Sequence, residues 1–222
     1  MNLKILAAAG LAVAATGATA DVAITTFTYS DLDTSYFTAD GESGLFTARA
    51  GANSSGDVTS LVSGAETAEY NTAFATDDAS LADVVFEMNI SNITGTSADA
   101  SGTFTITDMD GDTISGALDG AWARASAGGT ILFFNGTLSD VVYSANGNGI
   151  FEGAAGTGFE LTPFLLGNAF SGGLVQVSFG VDSFFDQSFE LSGSQFSGTI
   201  VPTPGAAALL LGAGGIIARR RR

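Results

Sequence analysis

The residues with the clearest chemical potential are three aspartates that alternate along one short segment. Asp108, Asp110 and Asp112 lie at positions i, i+2 and i+4 around Gly111. Calcium-binding loops use such spacing because a tight turn gathers several hard oxygens around one cation. The glycine stands fourth rather than sixth, however, and Asp119 takes the twelfth position, where an EF-hand has glutamate. The alternatives are a calcium site and a plain acidic hairpin turn, and the sequence favours the turn.

Other catalytic residue types are scarce. The chain has no His and no Cys, which removes the commonest neutral-pH base, the thiol nucleophile and disulfide bonds. A hydrolase that uses paired carboxylates is the enzymatic alternative, but no motif marks a pair among the 23 acidic residues. The sequence therefore predicts that the protein is not an enzyme. It predicts no cofactor, with calcium as the one candidate ion.

The charge is concentrated in the middle of the chain. Residues 21–201 carry all 23 acidic residues and two cations, Arg49 and Arg124, for a net charge of −21. Such a body repels polyanions, so nucleic acid is excluded as a partner. The division that follows is residues 1–20, residues 21–200 and residues 201–222.

The central segment is predicted to be all-β. Residues 83–90 and 103–107 alternate apolar and polar side chains, which is typical of antiparallel strands with one buried face. Short strands and Gly-rich turns predict a single antiparallel β-sandwich, jelly-roll-like, with a barrel as the alternative. An N-terminal signal helix and a C-terminal hydrophobic helix are expected to flank it.

Turn residues predict the strand order around the aspartates. Asn135 and Gly136 predict a type I′ hairpin, because both residues tolerate positive φ. A three-residue loop at the aspartates places Phe104 opposite Leu118, which buries more apolar surface than a two-residue loop would. Residues 103–161 are thus expected to form a meander.

Trp122 is the one tryptophan in the chain. Its ring could stack on a sugar, but a lone tryptophan among small residues is more typical of a core. Carbohydrate binding stays open as an alternative beside calcium binding.

The N-terminal residues have the three parts of a secretory signal. Lys4 supplies a positive start, and residues 5–15 form an apolar run that is too short to span about 30 Å of hydrocarbon. Ala18 and Ala20 place small residues where signal peptidase needs them. Cleavage after Ala20 would make Asp21 the mature N-terminus.

The last 22 residues combine prolines, an apolar run and a basic end. The first part consists of Pro202, Thr203, Pro204 and Gly205. Residues 205–218 contain no polar side chain. Four arginines end the chain, namely Arg219, Arg220, Arg221 and Arg222. The positive-inside rule holds that end in the cytoplasm, while the N-terminal signal directs the body outward.

This tail resembles the PEP-CTERM sorting signal of exosortase-bearing bacteria, which has a short Pro-x-Pro motif, a hydrophobic helix and an arginine cluster. Thr203 replaces the usual central glutamate, as in Pro-Thr-Pro-Gly variants. The resemblance implies export, retention in the membrane through the tail, and cleavage near the motif by an exosortase-like membrane protease. Members of that family are commonly linked to the cell surface and the extracellular polysaccharide matrix.

We therefore expect a non-enzymatic exported protein of the cell surface, outer envelope or extracellular matrix, with a membrane-inserted precursor. Its expected partners are signal peptidase, an exosortase-like protease, the membrane before processing, and extracellular polysaccharide. The alternatives are a calcium- or carbohydrate-binding extracellular module and, less favoured, a secreted hydrolase. For the tail alone, the alternative is an ordinary single-pass anchor.

Overall fold

The computed structural model describes residues 23–62, 64–71, 81–124, 129–170, 173–182 and 184–202. Within these ranges the chain forms twelve strands and one short helix. The elements are β1 (Thr25–Phe37), β2 (Gly44–Arg49), β3 (Ser55–Ser60), β4 (Glu66–Asn71), β5 (Asp83–Ser91), β6 (Ser97–Thr107), β7 (Thr113–Arg124), β8 (Ile131–Ser144), β9 (Ile150–Glu152), β10 (Gly158–Glu160), α1 (Pro163–Leu166), β11 (Leu174–Gly180) and β12 (Phe189–Ile200). In this described part, no helix has the length and apolar character needed to cross a membrane.

Eight strands close into an antiparallel barrel. Their order is β1, β2, β5, β6, β7, β8, β11 and β12, and β12 pairs again with β1. Neighbours in this ring follow one another along the chain, apart from inserted hairpins, so the described strands have no jelly-roll crossing. The all-β, antiparallel prediction is confirmed, and the ring closes as the barrel alternative requires. The predicted meander comprises β6, β7 and β8, whereas β9 and β10 form a separate hairpin.

The β3–β4 hairpin extends the sheet beside the first half of β1. Residues 25–30 of β1 pair with β3, and residues 33–37 pair with β2. A bulge separates the two halves, and Asp31 within it has a φ of 57°. The change of partner explains how one long strand belongs to both the ring and the hairpin sheet.

Aromatic rings fill the interior. Trp122 is fully buried, with its ring centroid 5.0 Å from that of Phe46 and 5.1 Å from that of Phe179. A second group stacks around Phe86, whose centroid lies 4.0 Å from that of Phe196. The core interpretation of Trp122 is therefore confirmed, and this residue offers no surface to a sugar.

The two ends of the barrel sequence meet at one end of the ring, which we call the base. Thr25 pairs with Ile200, and the Ile24 amide donates to the Ile200 carbonyl at 2.9 Å. β6 ends at this level, β7 begins there and β8 ends there, so residues 108–112 and 145–149 also lie at the base. The opposite end is called the top.

The predicted hairpin at Asn135–Gly136 is wrong, because β8 runs through both residues without a turn. Gly136 pairs with Gly120, and a Cβ atom on Gly136 would lie 2.4 Å from the Phe134 ring. The glycine thus makes room for an inward aromatic ring rather than for positive φ.

The predicted register around the aspartates is also wrong. Phe104 pairs with Gly116 instead of Leu118, and the loop has five residues, 108–112. A Cβ atom on Gly116 would lie 2.9 Å from the Phe104 ring. The longer loop is stabilised by hydrogen bonds to the side chain of Asp108, which strand alternation does not reveal.

Candidate functional site

The three predicted aspartates do lie together, at the base, in the loop between β6 and β7. One carboxylate oxygen from each lies within 4.8 Å of the others. Asp108 and Asp112 are fully buried, and Asp110 is partly buried. Asp119, the twelfth position of the calcium-loop pattern, is exposed in β7, outside this loop. The structure therefore brings together three of the four carboxylates in that pattern.

Asp108 holds its own loop closed. Its Oδ1 accepts the backbone N–H groups of Asp110 at 3.1 Å, Gly111 at 2.9 Å and Asp112 at 2.8 Å. The Asp108 amide donates to the Asp112 carbonyl at 2.9 Å. Gly111 has a φ of 106°, which a residue with a side chain would adopt only under strain. These bonds explain the acidic turn that the sequence favoured.

The same carboxylates also hold the neighbouring segment. Asp112 accepts the N–H groups of Gly147 at 2.5 Å and Gly149 at 2.7 Å. Asp110 Oδ2 accepts the Asn148 N–H at 3.0 Å, and Asp108 Oδ2 accepts that of Glu152, also at 3.0 Å. We call Asp108, Asp110 and Asp112, with residues 147–149 and Glu152, the aspartate clasp. It joins the β6–β7 loop to β9 through long-range hydrogen bonds.

Burial changes the pKa of one carboxyl group in the clasp. Removal from water raises the pKa of Asp108 to about 6, although its backbone N–H donors favour the ionised form. A side-chain interaction with Asp110 is a smaller cause of the same upward shift in this pKa. The fold thus holds a carboxyl group that titrates close to neutral pH.

The clasp suits a structural role better than a high-affinity cation site. Five of the six carboxylate oxygens of its three aspartates accept backbone N–H groups, whose dipoles stabilise anions. Asp110 Oδ1 is the exception: it is buried and has no hydrogen-bond partner. Hard oxygens suit calcium, but one oxygen from each of three carboxylates supplies fewer than the 6–8 ligands of that ion. A bound calcium ion would need carbonyl groups or water to complete its shell.

A second acidic feature lies on the outer face of β3 and β4. Asp57 and Glu69 are directly opposed in the register, with Thr28 of β1 beside Asp57. Burial and the Glu69 charge both raise the pKa of Asp57. The two residues line a depression of about 540 Å³ whose other described lining side chains are uncharged.

The carboxylate pair lies on an open face of the sheet rather than in an enclosed cleft. Glycosidases place their two carboxyl groups on either side of the scissile bond. Asp57 and Glu69 stand side by side on the outer face of one hairpin, and Glu69 is exposed.

The Asp57–Glu69 pair was not predicted from the sequence. Its members are twelve positions apart, and only the β3–β4 register brings them together. The available signal is Gly64, which has a φ of 138° and lies in the connection between the strands. A hairpin centred near that residue would have predicted the pairing.

Most residues of the two predicted sorting segments lie outside the described ranges. They are Ala18, Ala20, Asp21, Thr203, Pro204, Gly205, Arg219, Arg220, Arg221 and Arg222. Pro202 is described, and it is buried two positions after the end of β12. The Pro-x-Pro motif therefore begins directly at the base of the barrel.

Comparison of the chain with family models, with curated proteins and with solved structures finds no match.

Proposed function

We propose that the chain is a non-enzymatic exported protein whose barrel is presented at the cell surface, outer envelope or extracellular matrix. Signal peptidase removes the N-terminal segment, and an exosortase-like membrane protease cuts near Pro202, Thr203 and Pro204. The observation that carries this proposal is the meeting of both barrel ends at the base, where Thr25 pairs with Ile200.

Because both ends of the barrel lie at the base, the body can be attached to one membrane first through the N-terminal segment and later through the tail. The predicted signal cleavage site lies four residues before Thr25, and the Pro-x-Pro motif starts two residues after Ile200. Both membrane-directed segments then leave the same end of the folded barrel. The base faces the membrane, the top faces outward, and neither segment has to pass around the barrel.

The described residues also support a non-catalytic body. Aromatic side chains fill the interior around Trp122. Backbone N–H groups occupy the carboxylates of the aspartate clasp. Asp57 and Glu69 lie on one open face, where water is not excluded.

The proposal is tested by mutating the Pro-x-Pro motif and the arginine cluster in separate variants, in a host that carries an exosortase. Replacing Pro202 and Pro204 with Ala should leave the protein in the membrane fraction as an uncut precursor, about 2 kDa heavier than the product at about 0.1 kDa per residue. Pro163→Ala is the matched control, since Pro163 is the one proline of the chain outside the motif and lies at the start of α1. This control should be processed like wild type.

Replacing the four C-terminal arginines with Gln should have a different result. The charge that stops translocation is lost, so the precursor should pass through the membrane and be released uncut. Arg49→Gln, which changes a cation on β2, is the control. Fractionation with intact mass measures both outcomes. Normal cleavage and release of the proline variant would mean that the tail is an ordinary anchor.

Calcium binding at the aspartate clasp is the second candidate function. The buried Asp110 Oδ1, which lacks a hydrogen-bond donor, favours it. Millimolar calcium should then raise the melting temperature of the full chain by mass action, and Asp110→Asn should abolish the rise. Asp119→Asn is the control, because that carboxylate is exposed on β7. An equal melting temperature of the wild type in calcium and in EDTA would leave the clasp as a purely structural tie.

A further inference from the structure

Three shallow depressions lie next to one another on the outside of the barrel, share lining residues, and are treated together as one groove. Their volumes are about 540, 360 and 480 Å³, and Thr28 lines all three. The groove crosses β4, β3, β1, β12, β11 and β8, which at about 4.8 Å per strand gives a length of roughly 24 Å. We call it the hydroxyl groove. It is long and open, so its shape fits a stretch of polymer better than an enclosed small molecule.

A row of polar side chains lines the groove, one from each of its six strands and in register. In order they are Glu69, Asp57, Thr28, Ser197, Gln176 and Asn135. Gln176 Nε2 donates to Asn135 Oδ1 at 3.0 Å, which holds two amides side by side. This row thus offers a regular series of donors and acceptors at the spacing of the strands.

The neighbouring row on the same face consists of threonines. It contains Thr67, Thr59, Thr26 and Thr199. The hydroxyl oxygens of Thr59 and Thr67 lie 2.8 Å apart. The threonine side chains are shorter than those of Glu69 and Gln176 in the adjacent row, so the surface is lower along the threonines. The groove is therefore a consequence of side-chain size on an otherwise continuous sheet.

The carboxylate pair at one end of the groove works against the stability of the fold. Like charges directly opposite one another on adjacent strands are destabilising. Asp57 and Glu69 are so placed, and the described residues that line this depression include no cation. This pairing of charges does not stabilise the fold. A ligand whose hydroxyl groups donate to both carboxylates would reduce the repulsion between them.

The other end of the groove provides an apolar surface. Phe133 of β8 is 38% exposed and lines the third depression together with Gln176 and Ser178. An exposed aromatic ring beside amides presents an apolar face and polar neighbours at one place. That combination matches a sugar ring, which has C–H faces and a polar edge.

We propose that the hydroxyl groove binds a chain of neutral polysaccharide across β4, β3, β1, β12, β11 and β8. Sugar hydroxyl groups donate to Asp57 and Glu69 and exchange hydrogen bonds with the threonines and amides, while one sugar face packs on Phe133. A body with a net charge of −21 repels anionic polymers. A basic peptide is disfavoured because carboxylates occupy only one end of the groove.

The inference rests on the proposed function for its setting alone, because export brings the groove to extracellular polysaccharide. Binding is measured on purified protein. A negative binding result would therefore leave the export proposal intact, and failed processing would leave the groove intact.

The test uses the full chain, purified in mild detergent, on sensor surfaces that carry dextran, a β-1,3-glucan or a galactomannan. Alginate serves as the anionic polymer and polylysine as the basic one. We expect binding to at least one neutral polymer, none to alginate, and an affinity about tenfold lower for both Gln176→Ala and Asp57→Asn. Thr105→Val, on the outer face of β6, should bind like wild type.

Asp57→Asn also separates binding from folding. Removing one of two facing charges should leave the unfolding midpoint equal to or above that of the wild type, while binding falls. Three results would overturn the inference: no binding to the neutral polymers, equal binding by wild type and both groove variants, or polylysine binding that those variants weaken equally. Release of reducing ends from a bound polymer would also overturn it, since the groove would then be a catalytic site.

Discussion

Replacing Asp108 with Asn should flatten the pH dependence of the free energy of unfolding. Burial raises the folded-state pKa of this carboxyl group to about 6, against about 3.9 in an unfolded chain. The native state therefore binds the proton more tightly than the unfolded state does. Its contribution to stability is greatest below the unfolded pKa and is lost as the pH rises through the folded pKa.

The size of the effect follows from the two pKa values. At 1.36 kcal/mol per pKa unit, ionisation of Asp108 should lower the stability of the wild type by roughly 2 kcal/mol between about pH 4 and pH 7. The variant lacks this loss, so the difference between the two proteins should change by that amount. A second difference in the free energy of unfolding does not depend on pH. Asn presents an amide N–H₂ to the Glu152 N–H group, so the variant loses that hydrogen bond.

The assay is urea unfolding of the full chain in mild detergent with EDTA, followed by Trp122 fluorescence. Trp122 is the single tryptophan and is fully buried, so its emission reports loss of the core. EDTA removes calcium, which would hold the carboxylates ionised. Asp119→Asn, the change of an exposed carboxylate on β7, should keep the wild-type pH profile. Parallel pH profiles for wild type and Asp108→Asn would refute the reasoning and mean that the N–H donors outweigh burial.

Further predictions concern packing, the base and processing. Gly102→Ala should lower the free energy of unfolding by about 1–3 kcal/mol, because the new Cβ would lie 1.8 Å from the Glu87 carbonyl oxygen before relaxation; Gly95→Ala, with open space around it, should be nearly neutral. Tyr143→Phe should cost about 1 kcal/mol in the same urea assay, since it removes a buried 2.8 Å hydrogen bond at the base. Amine-reactive labelling of the mature protein from its host should add one tag, and a second tag would show that Lys4 is retained.

Features that depend on neighbouring residues could be predicted from the sequence, whereas contacts between distant segments could not. The Asp108 turn was recognisable because its donors lie within four residues, as the bonds from Asp110, Gly111 and Asp112 show. The N–H donors at residues 147–152 come from a separate segment, so the clasp between the two loops was not predictable from spacing. The all-β class and the alternation of apolar and polar side chains were also predictable, because a period of two is a property of each strand alone.

The wrong turn and register have a common cause. Asn135–Gly136 and Gly116 are strand positions where glycine accommodates an aromatic ring, Phe134 in one case and Phe104 in the other. Asn135–Gly136 was predicted to turn because both residues tolerate positive φ, and Phe104 was paired with Leu118 because that register buries more apolar surface. Only the packing of the barrel interior shows this role of glycine, and that packing depends on strands far apart in the sequence.

The pairing of the first strand with the last sets when the barrel can form. β1 begins at Thr25 and its partner β12 ends at Ile200, so the ring stays open until almost the whole described chain is available. Such non-local pairing favours slow folding, since loop closure must precede the contacts that stabilise it. A chain that emerges from its N-terminus onward keeps one edge of β1 unpaired throughout its synthesis. Closure of this barrel is therefore a late event in folding, and it depends on the last described strand.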